Sequence, residues 1–329
     1  MRICIFGAGA VGGHLAAHFA AAGHDVSVLA RGAHLEAMNA RGIELHSGDE
    51  VVRASVRGSD RASTLGAQDF VFVTLKANLL PLLAAQVAPL LGRETPVVFV
   101  QNGIPWWYAQ GLGRDRPTPP DLSKLDPGAA LAKAIAPERV IGAVVFSANS
   151  VAAPGVIQNA TPGRNMLTVG EPDDRQTDRI QALRRTIAAA RMHSPQNADI
   201  RQSLWSKLVL NLGSSTLCVL TGLSVGELMS DPVLAAIRTR ISAEGFAIAA
   251  AHGIAVEGAP KRPGGQTPGI VGHKPSMLQD YERGRPMEVE SQIMTPLAFA
   301  HAGGLEVPSF ELAATLAARR AAERGLYTK

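Results

Sequence analysis

The feature that most constrains this chain is a run of six residues near its start. Gly7-Ala8-Gly9-Ala10-Val11-Gly12 follows the β-type run Arg2 to Phe6 and opens a helical segment at 11–22 that leads to a second β-type run at 25–30. Glycines at the first, third and sixth places, between a strand and a helix, mark a βαβ unit that binds a dinucleotide. The first glycine permits the tight turn, the second lets the backbone approach a pyrophosphate, and the third lets helix and strand pack closely. The helix N-terminus then offers its N–H groups to phosphate. The strand before the run and the helix after it separate it from a glycine-rich turn without a ligand.

The end of the second strand selects the cofactor. An acidic residue there would bind the ribose hydroxyls of NAD. This chain has Ala30-Arg31-Gly32, and its nearest acid, Asp25, stands at the other end of the run. A guanidinium suits the 2′-phosphate of NADP by charge and by bidentate geometry, so NADPH/NADP is the expected cofactor. Two further β-type runs end in polar groups: Lys76 follows residues 71–75, and Asn102-Gly103 follows residues 96–101. Ligands of open α/β sheets bind at the carboxyl ends of strands, which puts Lys76 and Asn102 beside the nicotinamide end.

Strands and helices continue to alternate. Residues 69–75, 96–101, 141–147, 155–159 and 166–170 read as strands, and 79–91 and 178–192 as helices. Beyond about residue 198 only helical patterns remain, at 203–220, 232–252, 291–302 and 308–324. The expected architecture is therefore an α/β Rossmann-type N-terminal domain with a mainly parallel sheet, residues 1–198, followed by an all-α domain, residues 199–329. Residues 111–128 and the Pro/Gly-rich stretch 257–275 are expected as loops, the second of them inside the helical domain.

Composition narrows the class. The 329 residues carry 32 Lys plus Arg against 28 Asp plus Glu, with 46% apolar and 18% charged residues. That balance belongs to a folded chain of about two domains rather than a disordered one. The small positive excess, with no basic stripe interleaved with aromatics, argues against nucleic acid. Only two cysteines occur, Cys4 and Cys218, both in apolar runs. They exclude a disulfide framework and a Cys-based zinc cluster, and they suit a reducing compartment. No apolar stretch is long enough for a transmembrane helix. Glycines, His14 and His18 interrupt the apolar start, so it reads as strand and turn rather than signal peptide. The expectation is a cytoplasmic protein with no membrane partner and no metal; a homodimer is the candidate assembly.

In the second half, residues 204–215 are apolar apart from a few positions, among which Lys207, Asn211 and Ser215 are spaced i, i+4, i+8 and share one helix face. A lysine in such surroundings is costly unless its charge is used. The stripe is expected to line a cleft, with Lys207 donating a proton to an oxygen as hydride reaches its carbon. A second polar cluster, Lys274-Pro275-Ser276-Met277-Leu278-Gln279-Asp280, precedes Glu288 and Glu290. An opposite charge near Lys207 would favour its ammonium, a role open to Glu288.

Taken together, the chain resembles the ketopantoate reductase family (NADPH-dependent 2-dehydropantoate 2-reductases) along nearly its whole length. The matching segments are the glycine turn with Arg31, the strand-end Lys76, Asn102-Gly103, residues 142–148, Trp205-x-Lys207-Leu208-x-x-Asn211, and Ser276-Met277-Leu278-Gln279-Asp280 with Glu288. The resemblance implies a Rossmann domain, a helical domain, an active site in the cleft between them, and a place in pantothenate biosynthesis. It also implies roles. Lys207 would be the proton donor, Asn211 and Ser276 would hold the carboxylate and hydroxyl of a small-molecule 2-oxo acid, and Glu288 would lie near Lys207 and the nicotinamide ribose. Lys76, Asn102 and Ala148 would contact the cofactor.

Departures bear on the substrate. Ser215 and Val225 stand where the family often has asparagines, and Ile104-Pro105-Trp106-Trp107-Tyr108 puts an aromatic run over the expected active-site side. A site built around hydrogen bonds discriminates strongly when they are missing, so the reaction class transfers more readily than pantoate itself. Two rivals stay open: a two-domain dehydrogenase of a 2-hydroxy or 3-hydroxy acid or a polyol phosphate, and a non-catalytic NADP(H) sensor.

Overall fold

The computed structural model describes residues 1–256 and 272–328. They form two compact units, the first made of Met1–Gln101 and Asp126–Ile200, the second of Asn102–Leu125 and the described residues from Arg201 onward. Most of the expected loop at 257–275 lies outside the described residues.

The first unit contains strands β1 (Arg2–Phe6), β2 (Asp25–Leu29), β3 (Ile43–Ser47), β4 (Glu50–Ala54), β5 (Arg57–Ser59), β6 (Phe70–Val73), β7 (Val97–Val100), β8 (Val140–Phe146), β9 (Asn149–Ala153), β10 (Val156–Asn159) and β11 (Met166–Gly170). Its helices are α1 (Ala10–Ala21), α2 (Gly32–Arg41), α3 (Leu80–Ala84), α4 (Ala130–Ala134) and α5 (Asp178–Ala189). Seven strands form one sheet in the order β11-β8-β7-β6-β1-β2-β5, parallel except for β11, which runs antiparallel to β8. Strands β6, β7 and β8 are apolar and buried at every position, as befits parallel strands with both faces covered. The order turns about β1, whose neighbours β2 and β6 lie on either side of it. A crevice for ligands forms at the carboxyl edge of such a switch point.

A second sheet, in the order β4-β3-β10-β9, packs on the far side of α1. This explains why α1 (AVGGHLAAHFAA) has no polar face: it is covered by β1 and β2 on one side and by β3, β4, β9 and β10 on the other. At Gly13 an added Cβ would come within 2.6 Å of Ile157, so the small residue sets how closely the second sheet approaches.

The helix expected at 79–91 is instead broken into a 3₁₀ turn at Ala77–Leu79, the short α3, and a second 3₁₀ turn at Ala88–Leu90. Pro81 fits the first turn of α3, where no N–H is needed, and Pro89 likewise opens the next turn and cannot continue a helix through it.

The second unit is helical: α6 (Ile200–Thr221), α7 (Val225–Ser230), α8 (Pro232–Ala251), α9 (Ser276–Glu282), α10 (Thr295–Ala302) and α11 (Pro308–Glu323). The helix expected from 291 begins as a π-turn at Glu290–Met294 that runs into α10. Its ends are chemically defined. Ser224 and Glu227 form a reciprocal capping box on α7, Asp231 caps α8, and the Glu244 carboxylate accepts from the N–H groups of Ser309 and Phe310 at the start of α11. No helix among the described residues is long and apolar enough to cross a membrane.

The aromatic run at 106–108 is packed into this unit's interior rather than standing over a site. Trp107 and Tyr108 are buried, the Trp205 indole donates to the Tyr108 hydroxyl at 2.8 Å, and the Tyr108 and Trp205 rings meet Phe299 edge-on. Arg201, fully buried, donates to the carbonyls of Tyr108 and Gln110 at 2.7 and 2.6 Å and lies 5.8 Å from the Trp107 ring. A buried cation needs such acceptors, and together they fasten residues 108–110 to α6.

In α1, His14 is buried, and neither ring nitrogen has a hydrogen-bond partner among the described residues. Burial, reinforced by His18 nearby, pushes its pKa down to about 3. Its folded pKa lies below the ordinary 6.5, so the unfolded chain takes up the proton first. Stability from this group is complete above about pH 6.5 and is lost as the pH falls toward about 3. Denaturant titrations of wild type and His14→Leu between pH 7 and pH 5 are expected to diverge, the variant losing less stability by up to about 1.4 kcal/mol per pH unit. Parallel losses in the two proteins would contradict the assignment.

Candidate functional site

The glycine turn shows why its three glycines differ. Gly7 has φ +105°, and a Cβ there would lie 2.8 Å from the Leu75 side chain. At Gly12 a Cβ would lie 2.3 Å from the Gly7 carbonyl oxygen and 2.4 Å from Thr74 Oγ1. Both glycines are demanded by the protein's own packing. Gly9 is not: its φ is −73°, and an added Cβ would meet nothing within 4 Å. A glycine kept where the protein has room for a side chain points to an approach by something other than protein. Gly9 also caps α1 with no side chain, and the first turn carries no acid. The Gly9 N–H donates to the Gly7 carbonyl at 2.8 Å, and the first N–H groups of α1 beyond it are of the kind that can donate to an anion.

The turn is held by its neighbours. Gly7 and Ala8 donate their N–H groups to the Leu29 carbonyl at 3.2 and 3.1 Å, and Thr74 Oγ1 donates to the Gly7 carbonyl at 2.6 Å. The other cofactor-site candidates of the first unit gather at the same carboxyl edge of the sheet. Arg31 is exposed just past β2, as the N-cap of α2. Lys76 is half-buried just past β6, at the start of a 3₁₀ turn. Ala148 follows β8, with its N–H donating to Thr161 Oγ1 and its carbonyl accepting from Ala160. Asp25, by contrast, pairs in register with Arg2 at the opposite edge, too far along the strand to serve a ribose there.

The second unit assembles the remaining candidates. Lys207, Asn211 and Ser215 share a face of α6; Lys207 and Asn211 are half-buried and Ser215 is buried. The Lys207 ammonium donates to Asn102 Oδ1 at 2.6 Å, joining two groups 105 residues apart in sequence. Asn102 groups with the helical unit although only Gln101 separates it from β7 of the first. Its neighbour Gly103 has φ +78° and lies so flat on the π-turn that a Cβ would be 2.3 Å from the Ser291 carbonyl oxygen. The Ile104 N–H donates to that same oxygen at 2.8 Å. Glu288 stands just before the π-turn, buried, and accepts from Gln292 Nε2 at 3.1 Å. π-Turns of this kind recur at functional sites because they shift side chains by one position along a helix. Ser276 is exposed at the first residue of α9.

Sequence reasoning missed Thr74, His34, Ser291 and Gln292, each of which braces a candidate residue. Thr74 sits at the end of an apolar run and His34 in a polar helix; periodicity carries no trace of either contact.

Two family models match the chain: "Ketopantoate reductase PanE/ApbA" over residues 3–110 and "Ketopantoate reductase PanE/ApbA C terminal" over residues 199–321. A 2-dehydropantoate 2-reductase of Mesorhizobium japonicum is 40% identical over 331 aligned residues that cover all of both chains. Among solved structures, one from Ralstonia solanacearum MolK2, provisionally assigned as a ketopantoate reductase, superimposes with TM-score 0.85 at 33% identity, covering 99% of each chain. The 2-dehydropantoate 2-reductase of Geobacter metallireducens GS-15 gives TM-score 0.78 at 28% identity, over 97% of this chain and 99% of its own.

The contrast between the glycines is testable. Gly9→Ala is expected to keep its stability within about 0.5 kcal/mol, while its affinity for a nicotinamide dinucleotide falls at least about ten-fold. Gly12→Ala should lose about 1–3 kcal/mol through overpacking. Thermal melts paired with cofactor fluorescence titrations read both, and unchanged affinity in Gly9→Ala would contradict the role given to that open space.

Proposed function

The chain belongs to the ketopantoate reductase family, and from that premise we propose that it reduces a 2-oxo acid to the 2-hydroxy acid with NADPH, 2-dehydropantoate being the first candidate substrate. The observation that carries the reading is the hydrogen bond from Lys207 Nζ to Asn102 Oδ1. It holds an ammonium at a fixed point, half-buried on a helix that is otherwise apolar around it.

The roles follow from the chemistry of the groups. The backbone of Gly7, Ala8, Gly9, Ala10, Val11 and Gly12 receives the pyrophosphate, and Arg31 receives the 2′-phosphate that distinguishes NADPH from NADH. Lys76, Asn102 and Ala148 serve the nicotinamide half. When bound, NADPH supplies the hydride. Lys207 transfers a proton from Nζ to the carbonyl oxygen as that oxygen becomes anionic, which keeps the alkoxide from accumulating. Asn102 holds the lysine side chain in place before the transfer and accepts a hydrogen bond from it in either protonation state. Asn211 and Ser276 bind the carboxylate and hydroxyl ends of the substrate, with Ser215 a shorter donor than the asparagine common at its place. Glu288, held by Gln292, balances the positive charge of Lys207.

The interior packing of residues 106–108 removes the aromatic run as a reason to look beyond 2-dehydropantoate. Trp107 meets Arg201, and Tyr108 meets Trp205 and Phe299.

Lys207→Ala is expected to lower kcat with 2-dehydropantoate by about 10²–10⁴ while leaving the NADPH dissociation constant near its wild-type value. Steady-state NADPH oxidation and cofactor titration measure the two quantities separately. Near-normal turnover in the variant would remove Lys207 from the chemistry.

A further inference from the structure

One histidine of the first unit spends both ring nitrogens beneath the glycine turn. His34 is the third residue of α2, three positions after Arg31. Its Nε2 lies 2.7 Å from the Ala8 carbonyl oxygen, and the Gly155 N–H donates to its Nδ1 at 2.9 Å. A backbone N–H can only donate, so Nδ1 must be the acceptor, and the proton sits on Nε2, where it is given to Ala8. The ring is thus a neutral imidazole in a single tautomer that bridges three segments: the glycine turn, the start of α2, and the turn between β9 and β10.

On the β5 side, the Ala30 N–H donates to the Ser59 carbonyl at 3.0 Å and α2 packs against β5; on the glycine-turn side His34 makes the link. Arg31 caps the helix with no side-chain bond, and Gly32 has φ +55° with open space around it. Only Ala37 and Met38 of this helix are buried. The Ala8 peptide is gripped on both sides, by Leu29 through its N–H and by His34 through its carbonyl. We propose that His34 is a positioning residue for cofactor selection. It sets where Arg31 stands relative to the glycine turn, so that one dinucleotide can engage its pyrophosphate on the turn and its 2′-phosphate on Arg31 together. The inference rests on the assignment of Arg31 to the 2′-phosphate.

A role in packing alone would weaken NADPH and NADH binding equally. A role in spacing weakens NADPH selectively, because only NADPH uses both ends of the span. Glutamine can donate its amide N–H to Ala8 and accept at its carbonyl oxygen from Gly155, with donor and acceptor spaced much as the two ring nitrogens are; asparagine is one methylene too short to reach both partners. Fluorescence titrations with NADPH and NADH are therefore compared for wild type, His34→Gln, His34→Asn, His34→Ala and Arg31→Ala. The expected result is a ratio of NADPH to NADH affinity that falls about ten-fold, equivalent to about 1.4 kcal/mol, in His34→Asn and His34→Ala and recovers in His34→Gln. An unchanged ratio in His34→Asn, or equal losses for both cofactors, overturns the proposal even if His34→Ala does not fold. Arg31→Ala separates the two layers. If that variant keeps the wild-type ratio, the reading of Arg31 fails; if it loses the ratio while His34→Asn keeps it, only the proposal for His34 fails.

Discussion

Helix α1 is pressed onto the ends of β1 and β6 with no room for a side chain at Gly12, and the first unit is organised around that contact. The Gly7 carbonyl and the Thr74 hydroxyl, bonded to each other, occupy the space a Cβ at Gly12 would need, so the helix reaches this distance only with glycine there. Because α1 is held so close on one side, its other side is near enough to carry a second sheet, and Gly13 and Ile157 meet there. The same contact aims the uncapped N-terminus of α1 at the carboxyl edge of the seven-stranded sheet. The anion site proposed at that edge would thus be a by-product of how helix and sheet pack.

The second unit solves a different problem, which is to hold a lysine still among apolar neighbours. Segment 102–110 does this by bonding to α6 at three places: Asn102 with Lys207, Tyr108 with Trp205, and the carbonyls of Tyr108 and Gln110 with Arg201. Leaving a buried donor unmatched costs about 1–3 kcal/mol, so each bond is a reason for the segment to stay in register. Gly103 and Ile104 add a second anchor on the π-turn. Glu288 stands at the head of that turn, where its carboxylate accepts from Gln292.

Much of this was legible in the residues. The glycine turn, the buried strands and the i, i+4, i+8 stripe each depend on local spacing, and local spacing is what a sequence displays. The second sheet escaped because β3 pairs with β10, more than 100 residues later, and its strands are short and partly exposed. Prolines at 81 and 89 broke a helix that apolar periodicity alone supported. The aromatic run beside Asn102 was misleading for a physical reason: its position suggested a site lining, whereas its rings satisfy a buried arginine and indole. His34 was invisible because a bond to a backbone carbonyl 26 residues away leaves no mark on composition or period.

The central claim is that hydride passes from NADPH directly to the carbonyl carbon of a 2-oxo acid while Lys207 protonates its oxygen. The most direct measurement uses NADPH carrying deuterium at the transferable position of C4, with 2-dehydropantoate as substrate and mass spectrometry of the product. The account predicts pantoate with one deuterium on the carbinol carbon. Product without the label, or bound NADPH that is never consumed, would contradict it.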